Sequence, residues 1–429
     1  MIYTSVPELP PAASAWRGML YIRMTKLVHL ANFNSTNIGN GALIFGTERV
    51  LREDWGGELH FLPEAWDDYT FDLKRFDAGF VSTVNRSDGL VAGAAVALNA
   101  RDYLKHAGMR LDLPYELWSS LSKPVVFYAI SYRVWPYQRY HHLDQFKRAM
   151  DYVLQSPQIL FSVRNDGTKA WLESLLGYQS ERIEVIPDPA LYVPVEDSWH
   201  PELMDDKINI LVSLNNEDEV YRFGGEVRER IWQQAGPLAD EKQLLSLMQN
   251  NTEWQQQKQS CLKQLARGLE MLSHEWDLNI VLCPHYFDDY KIMSEFMSLF
   301  PARLAHQKTI SSGLLKVSRT PYFYDLYAKA DVALSMRIHS MSPSIGLCTP
   351  MVAVSTQSRM SDFMRAADLQ DFMVDFFDPD LADKISTKVG FILRNRDEVR
   401  RKLEAVRSAM RAQTLNYNRK VAALISRAS

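Results

Sequence analysis

The chain has 429 residues, 46% of them hydrophobic and 23% charged, with 48 Lys and Arg against 52 Asp and Glu and a formal net charge of -4. That length exceeds one ordinary core, so two domains are expected, and the charge balance argues against a protein dominated by nucleic-acid binding. Cys261, Cys283 and Cys348 form no C-x-x-C pair, which disfavours a zinc knuckle or a disulfide framework and suits a reducing compartment.

The N-terminal stretch MIYTSVPELPPAASAWRGMLYIRM lacks a basic start followed by an apolar core, and no apolar run reaches the length of a membrane span. Residues 1–25 read as an extended leader, and the cytoplasm, including the inner face of the membrane, is the expected location. KLVHLANF (26–33) predicts the first strand, and the polar, glycine-containing NSTNIGNGA predicts the turn into a helix over ALIFGTERVL. GLVAGAAVAL is a short apolar run, and KPVVFYAIS (123–131), rich in Val and aromatics, predicts a buried strand. HHLDQFKRAMDYVLQS has helical spacing, QILFSVRNDGTKAWLESLLG reads as strand, turn and helix, and RIEVIPDPALYV as a strand ended by proline.

YVPVEDSWHPELMDDK (192–207) is polar with two prolines and reads as a domain linker. INILVSLN, LNIVLCPHY, VALSM and MVAVS then predict a second set of strands, with a long Gln-rich helical stretch from Glu226 to Trp276. Strands alternating with helices in both halves predict an α/β protein of two doubly wound Rossmann-like domains facing a cleft. The expected boundaries are 26–195 and 206–390, followed by a basic helical segment over 391–429. In such sheets ligands bind beyond the carboxyl ends of the strands. A G-x-G-x-x-G in register after a strand and a Walker A loop are both absent, which disfavours nicotinamide and P-loop chemistry.

One stretch, ADVALSMRIHSMSPSIGLCTPMVAVS (330–355), places Arg337 and His339 at the end of a strand, with Ser340 next to them and Pro343 expected near the first turn of the following helix. A helix N-terminus attracts anions, Arg supplies a planar fork for phosphate or carboxylate, and His moves a proton near neutral pH. An interdomain salt bridge by Arg337 and a helix cap by His339 are the structural alternatives. FSVRNDGTK repeats this architecture with Arg164, and VLCPHYFDDYK puts His285 after another strand. In NSTNIGNGA, Asn37, Gly39, Asn40 and Gly41 suit a ligand's close approach to the backbone, or only a tight turn.

These pieces, from NIGNGA through FSVRNDGTKAWLESLLG, EVIPDPAL and CPHYFDDY to SMRIHSMSPSIGLCTPMVAVS, resemble in their order the polysaccharide pyruvyl transferase family. The resemblance covers about residues 26 to 370 and implies a GT-B-like fold. It also implies transfer of a pyruvyl group from phosphoenolpyruvate onto two hydroxyls of a glycan sugar, forming a cyclic ketal. Arg337 and His339 match the family's donor-site pair, and Arg164 its Arg after the middle strand. Ser340 and His285 are expected beside them on the donor side. His339 is the expected acid that protonates the methylene carbon, and Asp88 or Asp102 the expected base for the hydroxyl protons. The resemblance implies phosphoenolpyruvate as co-substrate with no cofactor or metal, and as expected partner an oligo- or polysaccharide, lipid-linked or free, and no nucleic acid.

The chain departs from the family's glycine-rich turn at Ala94 and Ala95, where a Cβ opposes positive φ. It also departs in FYAISYRVWPYQRYHH, where Tyr132, Arg133, Trp135, Tyr137 and Arg139 offer acceptor contacts or form only a bulky surface loop; Asn37 and Asn40 are expected on the acceptor side as well. The competing readings are a nucleotide-sugar glycosyltransferase of the same fold, with Asp362 or Asp325 on the ribose, and a non-catalytic glycan-binding protein. Segment 391–429 carries ten Lys or Arg against three Asp or Glu. Its basic helix either packs back on the first domain or lies against anionic lipid.

Overall fold

The computed structural model describes residues 24–135, 138–223, 225–236, 241–304, 308–310 and 315–428. The expected leader lies outside them up to residue 23, as does Tyr137.

Two parallel sheets build the molecule. The first holds β1 (Thr25–Ala31), β2 (Leu59–Ala65), β3 (Gly89–Gly93), β4 (Val96–Asn99), β5 (Val125–Arg133), β6 (Ile159–Arg164) and β7 (Ile183–Ile186). Their order is β2-β1-β3-β5-β6-β7, with β4 paired to the carboxyl end of β5. The second holds β8 (Ile208–Ser213), β9 (Leu278–Leu282), β10 (Lys308–Ile310), β11 (Val332–Ser335), β12 (Met351–Ser355) and β13 (Met373–Asp375), ordered β10-β9-β8-β11-β12-β13. Helices cover both faces of such sheets, so the central strands read as continuous apolar runs. In β5, VVFYAISYR, every residue but the last is buried. The two Rossmann-like domains of the sequence reading are both present.

Parallel pairing sends all strands of a sheet to one edge. The loops after β1, β5 and β6 therefore gather on one side of the first sheet, and those after β8, β11 and β12 on one side of the second.

Two local readings change. The NIGNGA stretch is not a turn, because the helix Ile38–Asp54 starts there, capped by Asn37, whose Oδ1 accepts the Gly39 N–H at 2.9 Å. The GLVAGAAVAL run splits into β3 and β4 at Ala94, which adopts φ 31 despite its Cβ. Its N–H bonds the Tyr128 carbonyl at 2.7 Å, so sheet pairing holds a conformation that alanine disfavours.

The helix Arg396–Ala428 packs back on the first sheet. Tyr417, Val421 and Ile425 are almost fully buried, and each such side chain contributes about 1.5–3 kcal/mol. Asn418 accepts from the Tyr128 hydroxyl at 2.9 Å and donates to Asp54 at 2.8 Å. Arg411 pairs with Asp54 at 2.5 Å and Lys420 with Glu184 at 2.6 Å, so part of this helix's positive charge faces protein. Asn418→Ala leaves the buried Tyr128 hydroxyl without its acceptor. It is expected to lower stability by about 1–3 kcal/mol, read as a lower midpoint in thermal or urea unfolding; an unchanged midpoint would show that the helix adds no stability at this contact.

Candidate active site

A cavity of about 270 Å³ lies where the two sets of loops meet. Asn32, Asn37, Asn40, Asp67, Thr70, Asn99 and Tyr103 line it from the first domain, and Asn215, Glu217, Ile338, His339 and Gln357 from the second. Seven arginines also face it: Arg101, Arg110, Arg133, Arg164, Arg222, Arg337 and Arg359. Against them stand two lining carboxylates, Asp67 and Glu217. Such a surface is built for an anion.

Arg337 ends the β11 loop as the N-cap of the helix Ile338–Leu347. Its fork grips the buried Asp289, Nη2 to Oδ1 at 2.5 Å and Nε to Oδ2 at 3.1 Å, and Nη1 reaches Glu217 at 3.2 Å. Arg337 therefore does form salt bridges, but within the second domain rather than between the domains as the alternative had it, and the residue also lines the cavity. Glu217 takes Arg133 of the first domain on its other oxygen at 2.6 Å. Burial alone would raise the Glu217 carboxyl, but Arg133 and Arg337 hold it far below the usual carboxylate range.

Arg164 is buried at the end of β6. Its Nε donates to the Ala129 carbonyl at 3.0 Å, Nη1 lies 3.3 Å from Asp188 and 3.1 Å from His339 Nε2, and Nη2 has no hydrogen-bond partner among the described residues. Ala129 sits at φ 48, where the β5–β6 register shifts, and this bulge offers the carbonyl. A guanidinium only donates, so His339 Nε2 accepts and its proton resides on Nδ1. Burial, then Arg164, pushes the His339 pKa well below 6.5, which makes the free imidazole neutral. Arg359 crosses the seam the other way, with Nη2 2.6 Å from the buried Asp166.

The helix carrying His339 begins one residue after Arg337, so Pro343 lies in its interior rather than its first turn. Proline has no N–H for the carbonyl four residues back. That carbonyl belongs to His339, and the Tyr324 hydroxyl bonds it at 2.5 Å instead. Proline and tyrosine together fix the backbone of His339.

The close approach expected at the glycines occurs, but side chains of the second domain make it. A Cβ on Gly39 would lie 2.4 Å from His339 Nδ1, and one on Gly41 1.8 Å from Thr320 Oγ1.

Of the remaining expected residues, Asn37 and Asn40 line the cavity, with Asn40 Nδ2 bonded to Ser35 at 2.9 Å. Tyr132 and Trp135 line a neighbouring cavity of about 230 Å³, where Tyr132 stacks on Trp171 and Trp135 on Tyr221. His285 is fully buried behind the wall, its Nε2 2.8 Å from the Tyr327 hydroxyl, so it does not reach a ligand. Ser340 is buried too, with its hydroxyl spent on the Arg337 carbonyl at 2.8 Å. Asp88 stands at the amino end of β3, accepting the Lys26 N–H at 2.8 Å, and parallel pairing puts that end away from the cleft. Asp102 points outward, its side chain 77% exposed beside His142, and does not line the cavity. Asp325 is buried against His200 at 2.9 Å, and Asp362 pairs with Arg365, so neither lines the cavity.

Asp67, Arg110, Glu217, Arg222 and Arg359 were missed. Each sits in a loop or short helix whose place in the cleft follows only from the tertiary fold. Among the described residues no cluster of His, Cys, Asp or Glu is arranged to hold a metal ion.

A sequence model of the family described as Polysaccharide pyruvyl transferase matches residues 37–358, well over half of the chain. No curated protein matches it. Among solved structures, the chain is similar to a glycosyltransferase from Rickettsia africae ESF-5, with 12% identity and a TM-score of 0.48 over 95% of this chain and 100% of that one. It is also similar to a UDP-GlcNAc 2-epimerase from Neisseria meningitidis bound to UDP-GlcNAc, with 11% identity and a TM-score of 0.43 over 89% of this chain and 94% of that one.

Burial, then Arg337, also pushes the His285 pKa well below 6.5. His285 and His339 therefore stay neutral in the folded protein while the unfolded chain protonates below pH 6.5. Their contribution to stability is whole above that pH and declines as pH falls below it, by about 1.4 kcal/mol per pH unit for each. His285→Asn is expected to flatten the acid limb of stability against pH by that one-proton slope. An unaltered slope would mean that His285 is protonated in the fold.

Proposed function

The chain belongs to the polysaccharide pyruvyl transferase family, and from that membership we propose that it moves a pyruvyl group from phosphoenolpyruvate onto two hydroxyls of a glycan sugar, forming a cyclic ketal. The observation that carries this reading is the interdomain cavity, where seven arginines outnumber two carboxylates beside a histidine. Phosphoenolpyruvate carries a phosphate and a carboxylate on one carbon, and Nη2 of Arg164, without a partner among the described residues, supplies one donor for them. Arg222 supplies another. Its Nη1 bonds Thr356 and its Nε a backbone carbonyl, and burial, then Arg337, pushes its pKa down to about 10. An incoming anion relieves that crowding.

Burial and then Arg164 keep His339 neutral; bound anions offset the second cause and attract a proton, so the imidazole gains one as the donor arrives. From there the proton goes to the methylene carbon, and the central carbon becomes electrophilic. One sugar oxygen attacks it, the bond to phosphate oxygen breaks, and the second oxygen closes the ring. Of the two hydroxyl protons, one replaces that spent by His339 and the other leaves with phosphate. Asp67 is the proposed base. Burial raises its pKa, whereas Glu217 is held ionised by two arginines and binds protons poorly. The pair repeats a familiar division of labour between carboxylates whose surroundings push their pKa values apart.

Calorimetric titration tests this without the acceptor. Phosphoenolpyruvate is expected to bind, and Arg222→Gln to weaken it by about 10- to 100-fold, the loss of a charge-assisted hydrogen bond. Arg222 is a better probe than Arg337, whose removal would strand the buried Asp289 charge. Binding of UDP, GDP or CMP with none of phosphoenolpyruvate would sink the proposal in favour of nucleotide-sugar transfer.

The same titration in buffers of different ionisation enthalpy reads protons. Because His339 has a higher pKa in the complex, binding takes up protons and strengthens as pH falls. His339→Gln is expected to lose that uptake; equal uptake in both proteins would remove His339 as the acid.

A further inference from the structure

The arginines of the cleft differ in what balances them. Arg133, Arg164, Arg337 and Arg359 each have a carboxylate within ion-pair distance. Arg110, on the first-domain wall, has none among the described residues. Its guanidinium lies 4.9 Å over the Trp66 ring, and its Nη2 bonds two neutral oxygens, Asn32 Oδ1 at 2.9 Å and Thr70 Oγ1 at 3.1 Å. Asp67 influences it from beyond ion-pair distance. Its backbone is pinned as well, the N–H to the Ala97 carbonyl at 2.9 Å and the carbonyl to Trp66 Nε1 at 3.2 Å. A guanidinium stays charged, so this is a held, half-buried cation with an unmatched charge.

Arg110 also stands at a junction. A second cavity of about 760 Å³ opens on the far side of Thr70, Tyr103 and Arg110, and these same three residues line the first. This second space lies on the first domain alone, away from His339 and Arg337. Tyr103, 49% exposed at the boundary, offers an aromatic face on which a sugar ring can stack.

We propose that Arg110 binds an anionic group of the acceptor, so that the substrate is an acidic oligosaccharide, bearing a carboxylate or phosphate, laid across both cavities. This rests on the pyruvyl-transfer reading for the word acceptor, and the binding itself does not depend on it. The planar fork matches either anion, and the second cavity receives the sugars beyond the one modified.

The test is retention on an array of neutral, uronate-bearing and phosphate-bearing oligosaccharides, using wild type, Arg110→Gln and Arg110→Lys. Wild type is expected on acidic glycans, with the uronate and phosphate groups telling which anion is taken. Arg110→Gln is expected to weaken that retention by about 10- to 100-fold. Arg110→Lys, which keeps the charge without the fork, is expected to fall between them. Retention confined to neutral glycans, retention of none, or acidic retention that Arg110→Gln keeps would each overturn the proposal. Thermal unfolding of the variants separates a lost fold from a lost site, and Arg110→Lys decides the matter if Arg110→Gln does not fold. Phosphoenolpyruvate titration of wild type is run alongside; its failure would count against pyruvyl transfer and leave the array result standing.

Discussion

One buried carboxylate organises the second-domain wall of the cleft. Asp289 takes Nε and Nη2 of Arg337 and three backbone N–H groups, those of Asn216, His285 and Tyr286. Those partners come from the loops after β11, β8 and β9, so a single side chain sets three strand ends in register. A carboxylate deep in protein is costly unless its oxygens are filled, and here they are filled by a fork and by amides. The His285 carbonyl, held by the same cluster, then accepts the first N–H of the helix Ile38–Asp54 at 2.9 Å, which brings in the other domain.

From this anchor the arginines divide into two kinds. Those with ion-pair partners, Arg101, Arg133, Arg337 and Arg359, are parts of the frame, and three of them cross the domain seam, to Asp218, Glu217 and Asp166. Arg110 and Arg222 have only neutral oxygen partners for their guanidinium groups among the described residues. A ligand's charge has most to gain at the second kind, because replacing an existing ion pair returns little net energy. Arg164 is intermediate, half committed to Asp188 and with one nitrogen unspent.

Much of this was legible in the sequence. Apolar runs such as KPVVFYAIS gave their strands because a parallel sheet buries both faces, and Arg164, Arg337 and His339 stood out because each follows such a run. What failed depended on facts that local pattern does not carry. Asp88 flanks the right apolar segment but at its amino end, and only the direction of the strand decides which end faces the cleft. NIGNGA looked like a turn because glycine is usually a helix breaker. Here its glycines sit inside a helix, since the second domain comes too close for a Cβ. Arg110, Arg222 and Arg359 had no motif to mark them, and their meaning lies in which partners they lack or find across space.

The placement of His339 shows how tightly chemistry and fold are joined. Its ring rests against Gly39 of the first domain and against Arg164 of the β6 loop, while its own backbone is set by Pro343 and Tyr324 of the second. Neither domain alone supplies the surroundings that depress its basicity, because burial and Arg164, the leading causes, both need the first domain in place. The low basicity of His339 is thus a property of the two domains together, and the helix that carries the residue does not set it alone.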